Sequence, residues 1–299
     1  ALIFECYMGS TNAGDDVDPN LSTPSQRKAS GAIAILVDDP GHDAHLMSRL
    51  ESVLAQIWEQ REHLNEQLSA AVQVSNLAQW VRRELFSNLL SVQSRSGRKA
   101  PIYWQLATPS TSYSVWCYYQ RLTRDTFFRI ANDYVTPKVD HEERKLNAVR
   151  QEAGSDPSRK QRKEIDTQET FVAELRAFLT EVKRIAPLWN PNLNDGVIIN
   201  FAPLWRLVPQ HKAWQKECKK VWDKLVKGDY DWAHLAMHLW PERVVPKCQN
   251  DRSLAIAHGL EHDFWYEDDD GKWQERKVIS IRIDELIAER SSTAVTAAL

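Results

Sequence analysis

Twelve tryptophans in 299 residues constrain this chain more than any other feature. If each buries about 200 Å² at about 25 cal/mol/Å², the gross transfer term is on the order of 60 kcal/mol. That much indole surface requires a folded core to receive it. A base-stacking role is open to only one or two of the rings. Hydrophobic residues at 42% and charged residues at 26% describe a folded protein rather than a disordered one. The length suits one large domain or two modest ones.

Hydrophobic periodicity sets out the elements. Residues 8–30, rich in Gly, Ser, Thr, Asn, Asp and Pro, read as a connector. Ala32 to Val37 reads as a strand that ends at Asp38-Asp39-Pro40-Gly41. From Asp43 to Val74 apolar residues recur at three- and four-residue steps, which predicts a long amphipathic helix, and a second helix covers Leu77 to Leu90. The aromatic runs Ile102 to Leu106 and Ser112 to Leu122 flank Thr108-Pro109-Ser110 and predict a pair of core strands. A helix from Arg124 to about Asp133 is expected to stop before Thr136-Pro137.

The charge-dense stretch from Lys138 to Arg184 is interrupted by Gly154-Ser155-Asp156-Pro157, and its second half carries Ile165, Phe171, Leu175, Phe178, Leu179, Val182 and Ile185 on one stripe. That pattern predicts two antiparallel helices in a protruding hairpin. Beyond the turn Asn190 to Gly196 lies the apolar run Val197-Ile198-Ile199. Helices are expected over Pro203 to Val208, over His211 to Lys227 with Gly228 as its cap, and over Tyr230 to Leu239 before Pro241. Residues 263–283 predict a hairpin turning at Glu267 to Gly271, and Asp284 to Arg290 predicts a closing helix. The expected fold class is therefore α+β, mainly α-helical, with small β-hairpins and the protruding antiparallel helical hairpin.

Several function classes are argued against at this point. Cys6, Cys117, Cys218 and Cys248 are widely separated with no C-x-x-C pair, which speaks against a disulfide scaffold or zinc ribbon and fits a reducing cytoplasm. No apolar run reaches the roughly 20 residues that span a bilayer, so no membrane partner is expected. The start, Ala1 to Tyr7, has neither a basic stretch nor a small-residue cleavage site. It is not Met and opens on an apolar run, which reads as a segment of a longer polypeptide. None of the ten glycines is grouped as a cofactor-binding turn would require. The nearest string to an amino-methyltransferase Asn/Asp-Pro-Pro-aromatic motif is Asn190-Pro191-Asn192-Leu193, which lacks the second proline and the ring and reads as a turn. No P-loop, nucleophile elbow or kinase signature is present.

The net charge of −3 means that any anion-binding surface must be local. Across 206–227 stand Arg206, Lys212, Lys216, Lys219, Lys220, Lys224 and Lys227, against Glu217 and Asp223. On a helix, Lys212, Lys216, Lys219, Lys220 and Lys227 share a face opposite Trp214, Val221, Trp222 and Leu225. A helix anchored by tryptophans and lined with lysines suits phosphate contact; a solvated basic face has the same sequence. A second basic set comprises Arg95, Arg98 and Lys99, with Arg121, Arg124 and Arg129 downstream. Arginines beside aromatic strands either clamp phosphates or bridge strands. The DNA-contact candidates are thus Arg98, Lys99, Arg121, Lys212, Lys216, Lys219 and Lys220, with the exposed run Arg159 to Lys163 as a weaker one. His234 and His238, at i and i+4, have the spacing of a zinc pair. They lack the neighbouring Glu a zincin needs, and packing or capping is the favoured reading; His211 and Glu242 are the further ligands in prospect, with nothing to fix them nearby. His258-Gly259-Leu260-Glu261-His262 is weaker still. No catalytic or metal residue is assigned.

Several strings occur in an order that resembles one family. They are Gly31 to Asp43, Arg98 to Pro109, Tyr113 to Thr123, Asn132 to Lys138, Asp195 to Trp205, Gly228 to Ala236 and Trp240 to Glu261. Together they resemble the C-terminal region of PglX-type adenine-specific DNA methyltransferases of BREX and DISARM-like phage-defence systems, over most of residues 31–290. The resemblance implies a parent enzyme that transfers a methyl group from S-adenosylmethionine to adenine in double-stranded DNA. It puts cofactor and catalytic motifs upstream, so this segment carries none of them and no cofactor.

On this reading residues 1–30 connect to an upstream methyltransferase domain, 31–137 form a helical and β core, 138–186 the charged hairpin, and 187–299 a C-terminal helical part with a terminal β-hairpin. The expected function is non-catalytic DNA engagement or scaffolding. Rival readings are a protein-interaction module that docks other phage-defence subunits, and a hydrolase or metal enzyme in its own right.

Overall fold

The computed structural model describes residues 33–36, 45–48, 66, 69–70, 73–88, 91, 103–119 and 122–299. The connector at 8–30, most of the helix expected over Asp43 to Val74 and the basic loop at 94–99 lie outside the described residues. The fold is α+β and mainly α-helical, with two small antiparallel sheets. Two compact units divide the chain: Ala1–Leu122 with Phe128–Thr180 and Leu207–Lys212, and Thr123–Phe127 with Glu181–Arg206 and Ala213–Leu299. Among the described residues no helix is long and apolar enough to cross a membrane.

In the first unit, β1 (Ile33–Leu36) and helix α1 (Leu77–Arg83) precede β2 (Tyr103–Ala107) and β3 (Ser114–Tyr118). The strands form one antiparallel sheet in the order β1-β3-β2, with Gln105 opposite Trp116 and Leu106 opposite Val115. Both expected core strands are present. Consecutive side chains alternate faces along a strand, yet Trp104, Gln105, Leu106 and Ala107 are all buried, so both faces are covered. That coverage explains why these runs read as continuously apolar rather than alternating. Gln105, the polar exception, donates Nε2 to the Arg82 carbonyl at 3.0 Å, and its own carbonyl accepts from Gln210 Nε2 at 2.7 Å. Phe86 meets Trp104 and Trp116 at ring separations of 5.9 and 6.1 Å.

Helix α2 (Thr126–Arg129) does not stop before Pro137 as its sequence suggests. It widens into a π turn over Ile130–Val135 and runs on into α3 (Thr136–Ala153), with the Thr136 N–H bonded to the Ala131 carbonyl. The widened turn shifts the preceding carbonyls away from the Pro137 ring. Pro137 then sits in the first turn of α3, where its missing N–H costs little.

Helices α3 and α4 (Arg159–Leu188) form the expected antiparallel hairpin around Gly154, whose φ is +64°. Arg150 reaches Glu169 at 2.8 Å while Arg176 reaches Glu143 at 2.7 Å, so partner numbers fall in α4 as they rise in α3. Between them Lys138 and Glu142 make a buried ion pair at 2.6 Å, and Gln168 of α4 donates to the same carboxylate at 2.7 Å. Burial alone would raise the Glu142 carboxyl, but these hydrogen bonds and the lysine charge outweigh it and hold it below its usual range.

The second unit is built on a helical core that includes Leu188, Leu225, Leu235, Met237, Val244, Leu254, Phe264 and Leu286. After α5 (Val197–Phe201) come a 3-10 segment over Ala202–Leu207, then α6 (Lys212–Lys227), α7 (His234–Leu239), α8 (Pro241–Val244), α9 (Arg252–Ala257) and α10 (Glu261–Phe264). The β4–β5 hairpin (Trp265–Glu267 and Trp273–Glu275) and helices α11 (Ser280–Arg290) and α12 (Thr293–Ala298) close the chain. The helix expected from Tyr230 begins only at His234, because Tyr230 has φ +64° and cannot join a right-handed helix.

Trp189, fully buried, illustrates how the tryptophans are used. Its ring meets Phe127 edge-on at 4.6 Å, and its Nε1 donates to the Asn200 carbonyl at 2.7 Å. Asn200 in turn accepts from the Asn192 N–H and donates to the Asn192 carbonyl, pinning the turn before α5. In urea denaturation Trp189→Phe should cost about 1–3 kcal/mol by stranding that carbonyl, and Trp189→Ala about 3–5 kcal/mol. Equal, sub-kcal losses for both would show that the indole hydrogen bond and packing do not hold this turn.

Candidate nucleic-acid interface

Helix α6 carries a row of exposed cations on one face. Its sequence alternates lysines and apolar residues at helical spacing, and the folded helix sorts them: Cys218 and Leu225 are buried, Trp214, Val221 and Trp222 half-buried. Lys212, Lys216, Lys219, Lys220 and Lys227 are all exposed on the other side. Four of the candidates named from sequence, Lys212, Lys216, Lys219 and Lys220, thus share one solvent face. Arg98, Lys99 and Arg121 lie outside the described residues. The run Arg159 to Lys163 is largely exposed at the start of α4, where Arg162 is tied to the Pro157 carbonyl and Asp156.

Among Lys216, Lys219, Lys220 and Lys227, only Lys219 has an ion-pair partner among the described residues, Asp223 at 2.6 Å. That pair is half-exposed and of the kind that contributes at most about 1 kcal/mol, so it opens readily toward a phosphate. Lys219 also stands 5.4 Å from the ring of half-buried Trp205, and the Arg206 guanidinium lies 4.6 Å from the same ring. Arg206 is further held by Glu181 at 3.5 Å. The indole therefore gathers two cations beside the lysine row without neutralising either.

The C-terminus of α6 is fixed in detail. Gly228, at φ +96°, donates to the Leu225 carbonyl and Asp229 donates to the Lys224 carbonyl, the paired bonds of a Schellman cap. Arg243 from α8 donates Nη1 to the Leu225 carbonyl at 2.8 Å, places its cation at the negative end of the helix dipole and stacks 4.5 Å from Trp240. Its Nε lies 3.2 Å from Asp231 Oδ1, close enough for an ion pair but out of line for a hydrogen bond. Lys247 holds the other carboxylate oxygen at 2.6 Å.

The histidines take structural partners. Asp195, with a nearly buried carboxylate, accepts from the His234 backbone N–H and from its Nδ1–H, both at 2.8 Å, and so caps the start of α7. His238 donates Nε2–H to the Pro187 carbonyl at 3.0 Å, and His258 donates to the Asp231 carbonyl at 2.6 Å. Among the described residues no group of three or more potential metal ligands is found. Asp195, 39 positions from His234, was invisible as a partner in sequence, where it reads only as part of a turn. Burial pushes the thiols of Cys117 and Cys218 up to about 12 and that of Cys248 up to about 11, which leaves them unreactive.

Among the described residues all strand pairings are antiparallel, and every glycine with positive φ stands at a helix end or in a hairpin turn. Comparison of the chain with models of known protein families and with curated proteins found no match in either.

Two predictions follow from these contacts. Arg243→Gln should cost about 2 kcal/mol, since it strips the α6 carbonyls of a charged donor and Asp231 of an ion-pair partner; an unchanged denaturation midpoint would refute that role. Burial, and the nearby Arg124 charge, lower the His238 pKa, and burial also lowers that of His258. A depressed histidine binds more protons unfolded than folded, so its stabilising share is complete above the unfolded value of about 6.5 and lost as pH falls through the folded value. The melting temperature should therefore drop on acidification below about pH 6.5, and more gently in His238→Gln; parallel profiles for the two proteins would remove His238 from this account.

Proposed function

We propose that this chain is a non-catalytic, DNA-engaging part of a phage-defence adenine-specific DNA methyltransferase, with α6 as the helix that contacts phosphates. The observation that carries the DNA contact is the exposed lysine row of α6, backed by buried apolar residues and by Trp205. From Lys216 to Lys227 the row extends about 16 Å along the helix, the length of about five base pairs of duplex. The methyltransferase parentage is supported by the ordered strings that resemble the PglX family, among them Asp195 to Trp205 and Gly228 to Ala236. In this reading double-stranded DNA is the partner, S-adenosylmethionine is bound by an upstream methyltransferase domain, and the work is cytoplasmic. Buried, unpaired thiols at Cys117, Cys218 and Cys248 are compatible with that reducing compartment.

Replacing Lys216, Lys219 and Lys220 together by glutamine tests the reading. Each phosphate contact contributes about 0.9 to the slope of log affinity against log salt, so the triple variant should lower that slope by about 2.7 and weaken duplex binding at low salt. Identical slopes for variant and parent chain would take the contact away from α6. Capture of a defence subunit by a chain without DNA affinity would favour the docking module instead.

A further inference from the structure

One cleft in the second unit has the chemistry of a ligand site and lies outside the lysine row. It occupies about 640 Å³, within the roughly 300–1,000 Å³ of small-ligand clefts. Tyr230, Asp231 and Trp232 line it from the turn after α6, and Lys247, Asn250 and Ser253 from the approach to α9. Trp232 is 48% exposed, in a chain that buries Trp104, Trp116 and Trp189 almost completely. Tyr230 braces it edge-on, with ring centres 5.8 Å apart and planes at 87°. That brace depends on the left-handed backbone of Tyr230, which residues with a side chain adopt rarely and which clusters at functional sites.

The edge of the cleft is polar and held in place. Asp231 stands on its wall with the carboxylate held by Lys247 and Arg243. The exposed amide of Asn250 offers one acceptor and one donor side by side, the arrangement that matches an exocyclic amino group next to a ring nitrogen. The lysine row ends at Lys227, directly before Gly228 on the cleft wall. The row and the cleft thus meet at the C-terminal end of α6.

We propose that this cleft receives one unpaired nucleobase bearing an exocyclic amino group, stacked on Trp232, from a DNA strand whose phosphates follow the α6 lysines. Trp232 supplies the stacking face, Tyr230 keeps it upright, and Asn250 accepts from the amino group. The inference rests on the DNA-engaging reading of α6 and names what that surface feeds.

The test uses the full chain and labelled single-stranded oligo-dA, oligo-dC and oligo-dT beside a duplex, read by fluorescence anisotropy. Trp232→Ala should lose on the order of tenfold in affinity for oligo-dA and oligo-dC, the scale of one stacked base, and Trp232→Phe less. Duplex affinity should stay as it was, because Trp232 is not in the lysine row. Asn250→Ala should shrink the preference for oligo-dA over oligo-dT, and 2-aminopurine within the strand should be quenched by the parent chain but not by Trp232→Ala. Unaltered melting of the Trp232 variants verifies that the fold is intact. Undiminished single-strand affinity in Trp232→Ala overturns the proposal, and equal binding of oligo-dT and oligo-dA overturns the base-edge contact. Adenosine monophosphate binding as tightly as the strand, with the same Trp232 dependence, would assign the cleft to a free nucleotide and overturn the strand. If the triple lysine variant binds normally while Trp232→Ala does not, the α6 reading fails and the cleft stands.

Discussion

The guanidinium of Arg243 is the contact on which both surfaces of the second unit depend. It closes the carbonyl end of α6, stacks on Trp240 and sits against Asp231, the residue that opens the cleft turn. A helix end without such a donor leaves carbonyls facing a half-dry environment, where an unmet hydrogen bond costs more than a made one contributes. Only arginine, with its planar fork, can address two carbonyls, a carboxylate and an indole face from one position. The lysine row ends, and the Trp232 turn begins, at the point this side chain fixes.

The tryptophans divide into enclosed rings and rings that reach solvent. Trp104, Trp116 and Trp189 are enclosed, and Trp189 satisfies its indole N–H on a backbone carbonyl. Trp205 and Trp232 are different, one collecting Arg206 and Lys219 and the other standing in the cleft. Composition gives the number of indoles; it has no means to say which of them are enclosed.

Much of the secondary structure was legible because period and punctuation agree. The strands at 33–36, 103–107 and 114–118, the hairpin broken at Gly154 and the cap at Gly228 each follow from a local pattern. Where local signals conflict with tertiary demands, the reading failed. Pro137 looked like a stop, but the π turn ahead of it absorbs the proline and the helix continues. Tyr230 looked helical in an apolar-periodic run, but its left-handed backbone serves the turn that holds Trp232. Of the candidate site, the lysine face of α6 could be seen in advance, since a helix wheel needs only spacing. The Asp195–His234 link could not, since it joins residues 39 apart and no periodicity encodes it.

By itself the sequence determined a mainly helical chain with an aromatic core, a charged hairpin and one lysine-bearing helix face. These depend on spacing, on turn chemistry and on how much apolar surface must leave water, all of which are local or additive. Only the tertiary structure decided that Arg243 caps α6 from a separate helix, that Asp195 caps α7, and that Trp232 stays at the surface beside Asp231 and Asn250. Those outcomes depend on which groups meet after the chain has folded back on itself, and hydrogen-bond direction and desolvation act only once they have met.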